Sequence, residues 1–206
     1  MRLATVLSDG RPRVVAALDD ETLLDLDRAA EFARYESGTF SNMLSVIEEG
    51  DYGLEQADHL MRRAERRALL KIADVSFLPP IMPVQYRDCL VFEEHLFNCL
   101  RAFGQAEPQL PPVWYEQPIY YKGNRMSFIG HGQEVIWPGY AEHLDIELEL
   151  AIVVGKKGKD IRAEEARDYI FGYTILNDVS ARDAQMKEMP GQLGPAKGKD
   201  FDTGNI

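Results

Sequence analysis

Leu144-Asp145-Ile146-Glu147-Leu148-Glu149-Leu150-Ala151-Ile152-Val153-Val154 is the stretch on which the fold turns. Apolar and acidic residues alternate, and a strand sends successive side chains to opposite faces. Ile146, Leu148, Leu150 and Ile152 share one face, expected to be the core face. Asp145, Glu147 and Glu149 share the other, neighbours about 7 Å apart along the strand. An acidic strand face in solvent is common. Here, however, the same face continues into Ala151 and Val153, so the acids are expected to be partly buried. Buried carboxylates need a cationic partner.

Downstream, Tyr169 to Leu176 is an aromatic and β-branched run of the kind that forms a buried strand. It ends at Asn177-Asp178, followed by Val-Ser-Ala-Arg182-Asp183-Ala-Gln185. Polar residues just beyond a buried strand sit where sites are commonly built. A ligand set of oxygens alone suits a hard cation: Mg²⁺ first, with Mn²⁺ or Ca²⁺ as alternatives. Upstream, Asp88-Cys-Leu-Val-Phe-Glu-Glu-His95 opens an expected helix running to Phe103, with Asp88 as its N-cap. Seven residues are close to two helical turns, which would place Asp88 and His95 on one side. A lone helical His is more often structural than catalytic. His59, His131 and His143 are read as structural.

The remaining chain divides at its prolines. Residues 2–18 read as a hairpin turning at Asp9-Gly10, and 25–35 as a helix capped by Asp25 or Asp27. The spacing from Leu54 to Ile72 predicts one amphipathic helix; its Arg62, Arg63, Arg66, Arg67 and Lys71 read as a solvated face rather than an anion site. Pro79-Pro80 and Pro83 mark an expected boundary between a small N-terminal α+β domain, 1–82, and a mostly β domain, 83–206. After a second proline-rich stretch, 108–118, strands are expected at 119–122 and 134–137. No Gly-rich dinucleotide or P-loop motif occurs. With 23 Lys and Arg against 34 Asp and Glu, the net charge of −11 argues against nucleic acid as a partner. Cys89 and Cys99 are expected on one helix as unpaired, reduced core thiols, consistent with a cytoplasmic protein. No signal peptide is visible at Met1–Gly10, and no run reaches the about 18 apolar residues of a membrane span.

Three segments, taken together, resemble the fumarylacetoacetate hydrolase family: Leu144-Asp-Ile-Glu-Leu-Glu-Leu-Ala151, Gly172-Tyr-Thr-Ile-Leu-Asn-Asp-Val-Ser-Ala-Arg-Asp-Ala-Gln185 and Gly194-Pro-Ala-Lys-Gly-Lys199-Asp-Phe-Asp-Thr203. The resemblance implies a mixed β-roll or barrel in an α+β chain, usually dimeric. It implies metal ligation by Asp88, Glu147, Glu149 and Asp178, with His95 as the base that activates water. Arg182 and Gln185 would lie near the substrate, Lys199 would assist the reacting carbonyl, and Tyr121 would line the pocket. The implied substrate is a small 2-oxo or 1,3-diketo acid, and the reaction C–C hydrolysis. Isomerisation, hydration or decarboxylation on the same metal site is the alternative, and a non-enzymatic homologue the second. Leu90 stands where the family pattern has an aromatic substrate contact, Gly104 where it has an arginine and Met189 where it has a tyrosine, which turns the expectation away from fumarylacetoacetate itself. Members continue beyond the position of Ile206, so the C-terminal part of the domain, including the residue that orients His95, is expected to be missing.

Overall fold

The structure is a computed structural model that describes residues 1–35, 38–102, 104–192, 194 and 196–206. Its first strands, β1 (Leu3–Ser8) and β2 (Arg11–Ala17), form the expected hairpin, with Ser8 opposite Arg11. Asp9 and Gly10 both take positive φ, 49° and 72°, as a two-residue turn matching strand twist requires. β3 (Thr22–Asp25) runs into α1 (Leu26–Ala33), where the Asp25 carboxylate accepts a hydrogen bond from the Arg28 amide at 3.1 Å as N-cap. Then follow α2 (Met43–Glu49) and α3 (Asp51–Arg63).

The helix expected over 54–72 ends early. Ala64 takes the left-handed conformation, φ 43°, and a 3-10 turn at Arg66–Ala68 leads into β4 (Leu69–Lys71), which pairs with β3. The apolar spacing persists past the break because Ala68 and Leu69 enter the same core, from a 3-10 turn and an edge strand rather than one continuous helix. Arg62 pairs with Asp58, and Arg67 with Glu65, as on an ordinary solvated surface. β5 (Ser76–Phe77) completes an antiparallel sheet of order β4-β3-β2-β1-β5. Val14, Ala16 and Leu24 on one face pack against the three helices; Val6, Val15 and Leu23 on the other are buried under Phe77 and its neighbours.

Beyond the prolines come β6 (Asp88–Cys89), α4 (Glu93–Ala102), α5 (Val113–Glu116) and β7 (Tyr120–Tyr121). Asp88 therefore does not cap a helix. It lies in a strand, paired with Tyr121, and the helix starts only at Glu93. Cys89 and Cys99 sit on different elements; Cys89 is exposed and Cys99 half-buried, so neither is a core thiol. Phe103 lies outside the described residues, as does Pro195 of the third motif. Residues 134–137 form no strand. Their polar groups bond outside any ladder instead: the Ile136 amide donates to the distant Thr203 Oγ1 and the Trp137 indole to the nearby Ala141 carbonyl.

The 144–154 stretch folds as β8 (Leu144–Asp145) and β9 (Leu148–Val154). β9 pairs with β10 (Ile170–Asn177), and β8 with β11 (Ser180–Ala181), which leads into α6 (Arg182–Glu188). The alternation is present, but its faces are opposite to expectation. Leu148 is 81% exposed, and Ile146, Leu150, Ile152 and Val154 are exposed with it. The face carrying Glu149, Ala151 and Val153 is the sheltered one, and Val153 packs with Phe171 against the core of the first sheet. Glu147 and Glu149 are half-buried because they are on the inside, whereas Asp145, expected to be sheltered with them, is exposed where it meets Arg182.

Candidate metal and substrate site

Four carboxylates converge between these strands. Asp178, 0% exposed, stands just past the end of β10. Its amide donates to the Glu147 carbonyl at 3.1 Å, and Asn205 bridges it on the other side. Glu147 sits at the break between β8 and β9, held by a bond from its amide to Asn177 Oδ1 at 3.2 Å. Glu149 follows on the same side of β9, and Asp88 arrives from β6. One carboxylate oxygen from each of Asp88, Glu147, Glu149 and Asp178 lies within 4.8 Å of the others.

Two cations enter the cluster. Lys199, 4% exposed, donates from Nζ to Glu147 Oε2 at 2.6 Å and to Asp178 Oδ2 at 2.7 Å. Its loop is held by a bond from the Ala181 amide to the Gly198 carbonyl, and by Glu188, which accepts from the amides of Ala196, Lys197 and Gly198 at 2.7–3.0 Å. Gly198 is required there: a Cβ would come within 2.6 Å of Gln185 Cβ and 2.7 Å of its Cα. Arg182 spreads its guanidinium over Asp145 (2.9 Å), Glu147 (2.5 Å) and Gln185 (3.1 Å). Tyr121 donates to Asp178 Oδ2 at 2.8 Å.

The charges are not balanced. Among the described residues, Asp88 and Glu149 pair with no cationic side chain, and Asp178 Oδ1 is buried without a hydrogen-bond partner. Burial, then the charges of Asp88, Asp178 and Glu147, push Glu149 up to about 8. Burial pushes Asp178 up to about 6 although Lys199 opposes it. Glu147 is desolvated too, but Lys199 and Arg182 hold it below the usual carboxylate range. Two uncompensated carboxylates and an orphaned buried oxygen fit a divalent, oxygen-seeking cation.

Eight of the nine residues expected to form the site thus meet in one network: Asp88, Glu147, Glu149, Asp178, Lys199 and Tyr121 at the cage, with Arg182 bound to it. Gln185 joins through Arg182. His95 does not: it is exposed on α4, with its Nε2 3.6 Å from Cys99 Sγ. Arg182, expected near the substrate, has its donors directed at protein oxygens. Sequence reasoning missed Tyr86 and Glu188, and named Asp145 on the acidic strand face without foreseeing its pairing with Arg182. Tyr86 carried a usable signal, since residues two apart in extended chain share a side and Asp88 follows at that spacing.

Fold and site together define a class: a mixed α+β chain whose short strands gather four carboxylates that could hold a divalent metal. Residues 86–206 match the family model "Fumarylacetoacetate (FAA) hydrolase C-terminal", and the chain belongs to the fumarylacetoacetate hydrolase family. Fumarylacetoacetase of Oryza sativa subsp. japonica is 34% identical over 157 residues, 68% of this chain and 36% of its own length. The mitochondrial oxaloacetate tautomerase of Xenopus laevis is 30% identical over 203 residues, 98% of this chain and 59% of its own. Fumarylacetoacetate hydrolase from Exiguobacterium antarcticum superposes with a TM-score of 0.69 at 21% identity, over 100% of this chain and 64% of that one. The 5-carboxymethyl-2-hydroxymuconate delta-isomerase of Mycobacterium smegmatis does so at 0.63 and 25%, with 100% and 64% covered. The chain spans less than two thirds of the length of these relatives. No helix among the described residues is long and apolar enough to cross a membrane.

Proposed function

We propose that Asp88, Glu147, Glu149 and Asp178 hold a divalent cation, Mg²⁺ first, and that the protein interconverts the keto and enol forms of a small 2-oxo acid. The observation that carries this reading is the cage itself: two carboxylates without a cationic partner beside a buried ammonium. A cation bound there would act as a Lewis acid on a carbonyl and make the neighbouring C–H more acidic. Lys199 Nζ, fixed between Glu147 and Asp178, is a preorganised donor for the oxygen on which negative charge develops during enolisation. Arg182, braced by Asp145 and Gln185, holds Glu147 in place and adds positive potential for an acidic substrate at the mouth of the cage, against a chain of net charge −11. The matches to oxaloacetate tautomerases, which extend over 98% of this chain, support this reaction type.

C–C hydrolysis of a diketo acid is the second reading. Its support is the Asp88…His95 spacing and the likeness to fumarylacetoacetases. It ranks second because the matches to oxaloacetate tautomerases extend over 98% of this chain and that to the Oryza fumarylacetoacetase over 68%. A cytoplasmic homodimer and the division near residue 82 belong to the same proposal, by family likeness.

The test follows the enol absorbance of oxaloacetate and of acylpyruvates with Mg²⁺ and then with EDTA, and identifies the products. Metal-dependent relaxation without change of mass supports the tautomerase. Carboxylic acid fragments establish the hydrolase instead, and no metal-dependent change with any compound sinks both.

A further inference from the structure

Among the described residues the Tyr86 hydroxyl, like Asp178 Oδ1, is buried without a hydrogen-bond partner. A buried phenol ordinarily finds an acceptor, because leaving its proton unbonded costs free energy. This ring is nevertheless firmly seated. It packs edge-on against Phe128, with centroids 5.1 Å apart, and against Tyr121 at 6.4 Å. Space is kept for it by Gly123, where any Cβ would lie 2.2 Å from the Tyr86 ring.

The position of the ring follows from its neighbours. Tyr86 precedes Asp88 by two residues, and Asp88 pairs across the ladder with Tyr121, whose own proton is already given to Asp178. A buried phenol donor thus stands against Tyr121, whose own hydroxyl is bound in the cage.

We propose that Tyr86 is a ligand contact of this site, its hydroxyl donating a hydrogen bond to an oxygen of the small acid bound at the cage. The inference rests on the metal-cage reading above. It makes Tyr86 a determinant of acid binding, with Tyr121 and Lys199 holding the carboxylates and Tyr86 reserved for the ligand.

Oxalate, a stable dicarboxylate that chelates metals as a 2-oxo acid does, serves as the probe, with Mn²⁺ as the metal. Three quantities are compared between the wild-type chain and Tyr86→Phe: Mn²⁺ affinity, oxalate affinity of the Mn²⁺-loaded protein, and stability without metal. The expected result is Mn²⁺ affinity unchanged within about twofold and oxalate affinity lowered about tenfold, the size of one hydrogen bond to a charged acceptor. The metal-free variant should be at least as stable as wild type, since the substitution removes an unsatisfied group. Equal oxalate affinity in both proteins overturns the proposal alone. So does a less stable Tyr86→Phe, which would reveal an internal partner for the hydroxyl. Failure of the wild-type chain to bind Mn²⁺ overturns the cage reading, and this proposal with it.

Discussion

At Glu149, burial and three neighbouring carboxylates act in one direction, and no cationic side chain among the described residues pairs with it. In the unfolded chain this group titrates near 4.5; in the metal-free fold it titrates near 8. Between those values the folded chain holds a proton that the unfolded chain has released. Stability without metal therefore falls as pH rises through that window. A cation needs the deprotonated carboxylate, so its binding expels the proton. Mn²⁺ affinity should fall about tenfold per pH unit below pH 8, more steeply below about pH 6, where Asp178 also takes up a proton. Mn²⁺ titrations across this range check the slope; Glu149→Gln should bind weakly and lose the dependence between the two values. A flat wild-type profile would show that Glu149 is not a ligand. Glu147 is the opposite case, already ionised and paired with Lys199 and Arg182. Glu147→Gln should cost more metal affinity than the about 10–100-fold typical of losing a supporting residue, and isothermal titration would measure it.

Lys199 depends on an element with little regular structure, the loop that Glu188 gathers from the end of α6. Three amide donors on one carboxylate outweigh its partial burial and hold Glu188 below the usual carboxylate range. Glu188→Ala should lower stability by about 1–2 kcal/mol and, by loosening the loop, weaken Mn²⁺ binding as well. Glu188→Gln, whose carbonyl oxygen still accepts, should lose less; urea unfolding and metal titration distinguish the two. Stability falling with metal affinity untouched would separate the loop from the site. Such an element was poorly legible in the sequence. Gly194 to Thr203 was recognisable by family resemblance, but nothing local in it announces that Glu188 is its anchor. Hairpin and capping chemistry was legible, since Asp9-Gly10 and Asp25 act through neighbours in the chain. The carboxylates were legible as alternation and as motif. What failed were inferences requiring partners distant in sequence. Ala68 and Leu69 continue a helical spacing as a turn and an edge strand, because β3 was there to pair with. Asp88 is a strand residue because Tyr120-Tyr121 lies across from it, which no window around Asp88 contains. Alternation in β9 told which residues share a face but not which face is sheltered.

That last ambiguity becomes a property of the whole molecule. Turning β9 over would bury its leucines but carry Glu149 out of the cage and Val153 off the first core. With the acids inside, the outer face of the β9–β10 ladder is apolar: Leu150 lies opposite Ile175, Ile152 opposite Tyr173, and Leu148 and Val154 extend the row. All six are more than half exposed. A contiguous apolar surface of this kind is unusual on a soluble monomer and marks a place where something else packs or where chains adhere. The net charge of −11 opposes association at long range but does not cover this face. The 206-residue chain should therefore bind an apolar fluorescent dye in its folded state and associate as its concentration rises. Leu150→Lys with Ile175→Lys should reduce both effects. These side chains point away from the cage, so Mn²⁺ affinity should stay within about twofold, well under the tenfold change that 1.4 kcal/mol produces. Dye fluorescence and sedimentation velocity on the two proteins check this. A wild-type chain that binds no dye and sediments as a monomer at every concentration would mean that the ladder faces the other way, with the leucines inside. The acids would then lie in solvent, and the cage would have to be assembled differently.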